Sequence, residues 1–268
     1  MSRPLLAITA TELRRRKMYV LWWSIGIVAL TAFTVLAYGS IKNQADQLNK
    51  AFSGLSSTAG SFFGTSNMFS PDGYLNSQLY YITLPILFII LGVTLSSNLI
   101  SKEERHHTME LLLARPISRS RLLLAKIIAA DVIVAVLGAV VAACVVLCGL
   151  AVHLGLPAGH ILLATLWMVL FSGAFGAVAF TLYAASSLTR HVAAAAAILL
   201  GMGGYILTSI GNLVHSIAWL GKLFPYHYYD PGQILNGHVA RGLVIYVVAL
   251  YVAALVISIV GFRRRDID

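Results

Sequence analysis

Charged side chains are scarce in this sequence. Asp, Glu, Lys and Arg make up only 11% of its 268 residues, whereas a soluble domain usually carries about 25%. Hydrophobic residues account for 59%, and the mean hydropathy is +0.83. These values exclude an ordinary soluble enzyme or binding domain, because almost no chain remains for one outside the apolar runs. The composition is typical of a membrane protein.

Common catalytic and cofactor motifs are also missing. The phosphate-binding pattern Gly-x-x-x-x-Gly-Lys-[Ser/Thr] does not occur, because the one Gly-Lys pair, Gly221-Lys222, is followed by Leu223. Neither the His-Glu-x-x-His zinc signature nor the Gly-x-Ser-x-Gly nucleophile elbow is present. The two cysteines, Cys144 and Cys148, lie within one apolar run, and we interpret them as small packing residues.

Six apolar runs are long enough to cross a bilayer. An α-helix rises about 1.5 Å per residue, so about 20 apolar residues cross a hydrocarbon core of about 30 Å. The first run is longer than the apolar region of a signal peptide, about 7–15 residues, and we expect it to remain in the mature protein. The sequence predicts an all-α, polytopic membrane protein with six transmembrane helices, at residues 18–39, 79–100, 127–150, 161–183, 192–213 and 243–262.

Lysine and arginine are distributed unevenly among the segments between these runs. With the N-terminus inside, the cytoplasmic segments hold 15 of them and the outer segments hold 4. Because basic residues favour the cytoplasmic side, the sequence predicts a plasma-membrane protein with both termini in the cytoplasm. The net charge of +9 then reflects the membrane topology of the chain rather than a surface that binds nucleic acid.

We treat residues 1–268 as one transmembrane domain with four regions outside the spans. Residues 1–17 mix apolar and basic side chains and predict an amphipathic helix on the inner leaflet, with a frayed basic tail as the alternative. Residues 40–78 form a polar outer loop with apolar positions at helical spacing from Ala45 to Leu55. The sequence Pro71-Asp72-Gly73 predicts a turn before the second span.

The last outer region, residues 214–238, is too apolar for an ordinary solvated loop. Aromatic side chains of this kind favour the membrane interface, so we interpret the region as a pair of short re-entrant helices. The alternative is a surface aromatic belt that serves only as an anchor. Its candidate residues are Trp219, Phe224, Pro225, Tyr226, His227, Tyr228, Tyr229, Asp230 and Pro231.

Polar side chains within the spans are candidate functional residues, because they are costly in hydrocarbon. Asp131, near the start of the third span, could line a cavity, meet a partner helix, or reach back to the inner interface beside Lys126. A polar stripe in the fifth span indicates either a close helix contact or a surface on the translocation path. Its members are Tyr205, Thr208, Ser209 and Asn212.

The cytoplasmic loop at residues 101–121 has a charged first half, then a short amphipathic turn that Pro116 ends. A short helix of this kind suits docking onto a soluble partner, with apolar side chains for a groove and charges for register. The candidate docking residues are Glu103, Glu104, Arg105, Thr108, Met109, Glu110, Leu111, Leu112 and Leu113.

The same loop resembles that of the ABC-2 type transporter permease family, Glu-x-x-x-Gly-Thr-Leu-Glu-Leu-Leu-Leu-x-x-Pro-[Ile/Val]-Ser-Arg. His107 stands where the family usually has Gly, and Met109 where Leu is common. The segment from Phe224 to Pro231 also resembles the family's motif before its last span. The matching loop residues are Glu103, Thr108, Glu110, Leu111, Leu112, Leu113, Pro116, Ile117, Ser118, Arg119 and Lys126.

This resemblance implies the type V transmembrane domain of an ABC exporter. The chain would form the translocation path with a second permease subunit, identical or related. It would not be catalytic and would bind no cofactor. A separate ATPase subunit, docked on the 101–121 loop, would use ATP and magnesium.

Two other hypotheses stay open from the sequence. One is a membrane enzyme, or a protein that binds a metal or haem through histidines of the outer face. The other is a scaffold subunit of a membrane assembly without a substrate path. The outer histidines are His153, His160, His215, His227 and His238.

Overall fold

The computed structural model describes residues 3–52, 60, 62–65, 67–105, 119–185, 189–214, 216 and 218–264. Throughout these residues the chain is helical, without a β-strand. Its α-helices are α1 (Arg3–Arg15), α2 (Lys17–Ile41), α3 (Ala45–Ala51), α4 (Pro71–Leu75), α5 (Thr83–Arg105), α6 (Arg119–Ala151), α7 (Ala158–Ala185), α8 (Arg190–Leu213), α9 (Ala218–Gly221), α10 (Pro231–Leu235) and α11 (Arg241–Arg264). Shorter segments are the 3₁₀ turns Lys42–Gln44 and Pro225–Tyr228 and the π-helical turn Asn76–Tyr80.

Six of these helices, α2, α5, α6, α7, α8 and α11, are long and apolar enough to cross a membrane. They confirm the predicted all-helical, multi-pass architecture. Six crossings return the chain to the side on which it began. We call that side, where α2 begins and α11 ends, the terminal face, and the other side the distal face.

The longest helix, α6, differs from its predicted span. It has 33 residues and begins at Arg119 rather than at residue 127. At about 1.5 Å per residue it is about 50 Å long, well beyond a hydrocarbon core of about 30 Å. Its first turns therefore extend the helix past the apolar window on the terminal face.

The centre of the bundle is α7, which packs against α5, α6, α8 and α11. Its most extensive contact is with α5, where Gly176 faces Gly92. A Cβ added at Gly176 would lie 3.0 Å from the backbone carbonyl carbon and oxygen of Gly92. Two glycines at this crossing allow the helix backbones to approach closely, as small residues do in membrane bundles.

At the terminal face, α1 lies against the first part of α6. The Thr9 hydroxyl donates to the Ala125 carbonyl at 3.3 Å, and the Arg16 side chain lies 3.7 Å from the Glu12 carboxylate. Residues 3–15 are thus helical. The place of this helix on a leaflet stays a prediction.

The distal face is covered by short helices. The predicted turn at Pro71 is instead the start of α4, because the Ser70 hydroxyl accepts from the Gly73 N–H at 3.2 Å and caps the helix. Near the end of α2, the Lys42 ammonium donates to the Val152 carbonyl at 2.8 Å. This bond joins the distal ends of α2 and α6.

Candidate functional site

The predicted docking loop lies mostly outside the described residues. Glu103, Glu104 and Arg105 belong to the last turn of α5, and Arg119 begins α6. The loop therefore connects two spans of the bundle, α5 and α6, and its docking role stays a prediction. The predicted docking residues that lie outside the described residues are Thr108, Met109, Glu110, Leu111, Leu112 and Leu113.

A cavity of about 260 Å³ lies among α5, α6, α7 and α11. Most of its wall is apolar. The polar exceptions are Asp131, Ser96, Ser258 and Tyr251. Among the positions that the sequence left open for Asp131, the structure places this residue at the wall of a cavity.

Glycines form part of the cavity floor. Gly92 of α5 and Gly173 and Gly176 of α7 all line it. A Cβ at Gly173 would collide with the hydroxyl oxygen of Tyr251, so the missing side chain leaves room for the Tyr251 phenol to cross over α7. Sequence patterns alone did not single out Tyr251, which lies in an apolar run.

A hydrogen-bonded contact joins α7 and α11 beside this cavity. The Thr181 hydroxyl lies 3.0 Å from the Ser258 hydroxyl and donates to the Ala254 carbonyl at 3.1 Å. Both hydroxyls are buried. This contact fixes α11 against α7 at one end of the cavity.

On the distal side, part of the predicted re-entrant region is buried in the bundle. Tyr226 and Tyr229 are almost inaccessible to solvent and pack on Phe171 of α7. The rings of Phe171 and Tyr229 stack with centroids 4.3 Å apart, and Tyr226 meets Phe171 edge-on at 4.9 Å. The Tyr229 hydroxyl donates to the Tyr80 carbonyl at 2.9 Å. These tyrosines are core residues rather than a surface belt.

We call residues 218–235 of this region, which include Tyr226 and Tyr229, the distal segment. It has three short helical pieces rather than the predicted pair. Pro225 begins the 3₁₀ turn, Pro231 begins α10, and the Asp230 carboxylate caps α10 by accepting from the Gln233 N–H at 3.2 Å. Its other members differ in exposure. Trp219 is 61% exposed, His227 is exposed, and Phe224 and Tyr228 are half-buried.

The polar stripe of α8 faces the distal segment over most of its length. Thr208 and Ser209 are buried, and a Cβ on Gly221 of the segment would lie 3.4 Å from the Thr208 Cα. Tyr205 meets Tyr226 edge-on with centroids 5.6 Å apart, whereas Asn212 is exposed. Tyr205 and Thr208 thus contact the distal segment, whereas Ser209 is buried and Asn212 lies outside the contact.

This contact buries polar atoms without hydrogen-bond partners among the described residues. They are the hydroxyl oxygens of Tyr226 and Thr208, together with the side-chain carbonyl oxygen of Asn76, which lies beside Gly232 of the segment. Each such atom costs about 1–3 kcal/mol in lost solvation. Burial also raises the pKa of Tyr226 far above its usual value, so the phenol stays neutral. The packing of the distal segment therefore combines aromatic burial with two hydroxyls that have no partner among the described residues.

Two neighbouring tyrosines give opposite predictions for stability. Tyr226→Phe removes an unpartnered hydroxyl, and we expect the purified protein to melt at a higher temperature, by about 1 kcal/mol or more in unfolding free energy. Tyr229→Phe removes the bond to the Tyr80 carbonyl, and we expect a loss of about 1 kcal/mol. Melting curves in one detergent compare both variants with the parent. A lower melting temperature for both variants would contradict the assignment of unpartnered atoms.

The histidines singled out above form no cluster among the described residues, and His215 lies outside those residues. His160 Nδ1 lies 2.9 Å from the Leu235 carbonyl and links α7 to α10. Burial, and then the charge of Lys222, lower the pKa of His227. The Cys144 and Cys148 sulfurs are 4.0 Å apart. Over the described part of the chain no three His, Cys, Asp or Glu side chains come together as a metal site.

Sequence reasoning missed Tyr80 and Phe171, which complete the distal aromatic cluster. Both were assigned to apolar spans, in which any side chain could face lipid. A signal was present for Tyr80, because a phenol within a span needs a partner for its hydroxyl. That hydroxyl lies 2.8 Å from the Thr165 hydroxyl of α7.

In a comparison with known protein families, the family described as "ABC-2 family transporter protein" matches residues 6–267. No curated protein matches the chain with significant similarity. The matched region includes all six spanning helices, the predicted docking loop and the distal segment. The chain therefore belongs to the ABC-2 family of transporter proteins and is a multi-pass membrane permease.

Proposed function

We propose that this chain is the permease subunit of an ATP-driven exporter. It forms the translocation path with a second permease subunit, identical or related, and a separate ATPase subunit drives it. The observation that carries the proposal is the asymmetry of the bundle. The distal segment closes one side over buried hydroxyls that have no partner among the described residues, while the cavity at Asp131 lies among α5, α6, α7 and α11 nearer the terminal face.

This asymmetry is what one state of an alternating-access transporter requires. Transport needs a barrier on one side that is stable enough to close and weak enough to open. The distal segment meets both needs, because Phe171, Tyr226 and Tyr229 bury large rings while the unpartnered hydroxyls reduce the net stability of the contact. We therefore assign the outer gate to the distal segment.

The energy source lies outside this chain. The sequence has no phosphate-binding loop, and ABC transporters are driven by nucleotide-binding subunits. The loop between α5 and α6 is the proposed docking element, since its sequence resembles the family's loop. The distribution of basic residues puts that loop and both termini in the cytoplasm, which gives the cytoplasmic ATPase access to it.

The test begins with the tagged full-length protein, extracted from native membranes in a mild detergent. We expect a stoichiometric ATPase subunit with a phosphate-binding loop to co-purify. In liposomes, the ATPase rate of the complex should exceed that of the isolated ATPase subunit. A chain that purifies without an ATPase would overturn the proposal.

Two further results would support the other hypotheses instead. Bound metal or a haem absorption band in the purified chain would favour a cofactor protein that uses the distal histidines. An ATPase that binds without any change in its rate would favour a scaffold. Direction is tested separately, by comparing the retention of candidate compounds in cells with and without the chain.

A further inference from the structure

We propose that the cavity at Asp131 binds a lipophilic amine, an ammonium group attached to an alkyl chain, which enters sideways from the membrane between α6 and α11. This site lies within one subunit, so the inference goes beyond the proposed function and does not depend on ATP-driven transport. It rests on the charge, shape and opening of the cavity.

The described residues that line the cavity offer no positive charge to pair with Asp131. Among the described residues that line the cavity there is no Lys, Arg or His, and Asp131 is the only acidic one. A carboxylate removed from water without a partner is costly. An ammonium group offsets that cost through a charge-assisted hydrogen bond, which is among the stronger contacts available in proteins. The polar end of the ligand should therefore be cationic.

The remaining wall selects an apolar body of limited size. Apart from Asp131, Ser96, Ser258 and Tyr251, the lining is aliphatic, aromatic or glycine. Its volume of about 260 Å³ lies just under the range of about 300–1,000 Å³ typical of ligand sites. The cavity can thus take an ammonium group with a short stretch of alkyl chain, but not a whole phospholipid.

The opening faces hydrocarbon. Val252 and Leu255 of α11 line the cavity and are 56% and 40% exposed on the outside of the bundle. This helix packs mainly on α7 and touches α6 little, which leaves a lateral gap beside Asp131. A ligand dissolved in the membrane can reach the carboxylate through that gap without crossing the bundle.

Depth in the membrane also matches an amphiphile. The apolar window of α6 begins at Ile127, so Asp131 lies about 6 Å deeper at about 1.5 Å per residue. An amphiphilic amine lies with its head near the interface and its tail toward the bilayer centre. The carboxylate therefore lies at a depth that the ammonium group of such a molecule can reach.

The experiment uses photoreactive decylamine with a diazirine in its tail, and decanol with the same group as the uncharged probe. The full-length protein is labelled in phosphatidylcholine vesicles, and the labelled peptides are identified by mass spectrometry. We expect the amine to label α6 and α11 at about tenfold lower concentration than the alcohol, as one charge-assisted hydrogen bond implies. Asp131→Asn should remove this difference between the probes.

A second pair of variants tests the opening without altering the charge. Val252→Phe places a ring at the mouth and should lower amine labelling of the cavity. Val256→Phe is the matched control, because Val256 is 53% exposed one turn further along α11 and does not line the cavity. Equal labelling in both variants would overturn lateral entry. Equal labelling by amine and alcohol in the parent would overturn the site itself.

A final arm distinguishes the two sources of such an ammonium group. The labelling is repeated in vesicles that contain phosphatidylethanolamine. Competition by this lipid would assign the site to a lipid head group, and unchanged amine labelling would assign it to a free amphiphile. In either vesicle, a preference for the amine over the alcohol that persists in Asp131→Asn would reject the inference.

Discussion

Gly176→Val is expected to remove most of the folded protein. The new Cβ would lie 3.0 Å from the backbone carbonyl carbon and oxygen of Gly92 and 3.2 Å from the Ser96 hydroxyl. Backbone atoms cannot rotate away, so α5 and α7 would have to separate along their most extensive contact. Overpacking a well-filled core usually costs about 1–3 kcal/mol, and occasionally more. Size-exclusion profiles and melting temperatures in detergent measure the loss.

Two other glycines serve as matched controls. Gly26 of α2 and Gly203 of α8 also lie inside spanning helices, but a Cβ added to either would meet nothing within 4 Å. Gly26→Val and Gly203→Val therefore change helix propensity without a clash. Comparable losses in these variants would show that backbone propensity, rather than the close crossing of α5 and α7, explains the result.

The second large effect is expected at the docking loop. Replacing Glu110 with Lys and Leu112 with Asp together reverses a charge and places a carboxylate on the apolar side of the proposed docking turn. We expect co-purification of the ATPase subunit to be lost, because the variant would lose both the charge pairing and the apolar contact with its partner. The melting temperature of the permease should stay unchanged, since the substitutions lie outside the spans. Pull-down and melting experiments report the two quantities separately.

Helix α3 offers a control of the same chemistry on the opposite face. Asp46 and Leu48 have the spacing of Glu110 and Leu112, and neither is buried. Asp46→Lys with Leu48→Asp should leave the ATPase bound. Retained ATPase in the loop variant would reject the docking assignment, and loss of ATPase in the α3 variant alone would place the partner on the distal face.

Sequence reasoning predicted the spans well, because the length and hydropathy of a run follow directly from bilayer thickness. It failed at helix ends, where that constraint is absent. Helix α6 begins at Arg119 since nothing forces a helix to stop where its apolar window stops. Pro71 was assigned to a turn, yet proline suits the first position of a helix equally well, and only the Ser70 cap distinguishes the two.

The site was less predictable, because it depends on pairs of distant residues. Aromatic composition placed Tyr226 and Tyr229 near the membrane interface, but their burial depends on Phe171 and Tyr80 in other helices. Asp131 was predicted as a candidate because it is a charged residue within an apolar run. Its cavity, however, exists because glycines of α7 leave space under Tyr251, and no local pattern in the sequence reports that pairing.

Because α6 is long, a sideways movement at its Arg119 end would be passed on to Asp131. Its distal end is tied to α2 by the bond from Lys42 to Val152, and its other end projects past the apolar window. At about 1.5 Å per residue, Asp131 lies about 30 Å from the tied end and Arg119 about 50 Å from it. For a rigid helix pivoting at that end, a sideways movement of about 5 Å at Arg119 would become about 3 Å at Asp131. That distance is about the length of one hydrogen bond, so a push of this size on the loop would be enough to make or break a contact with the carboxylate.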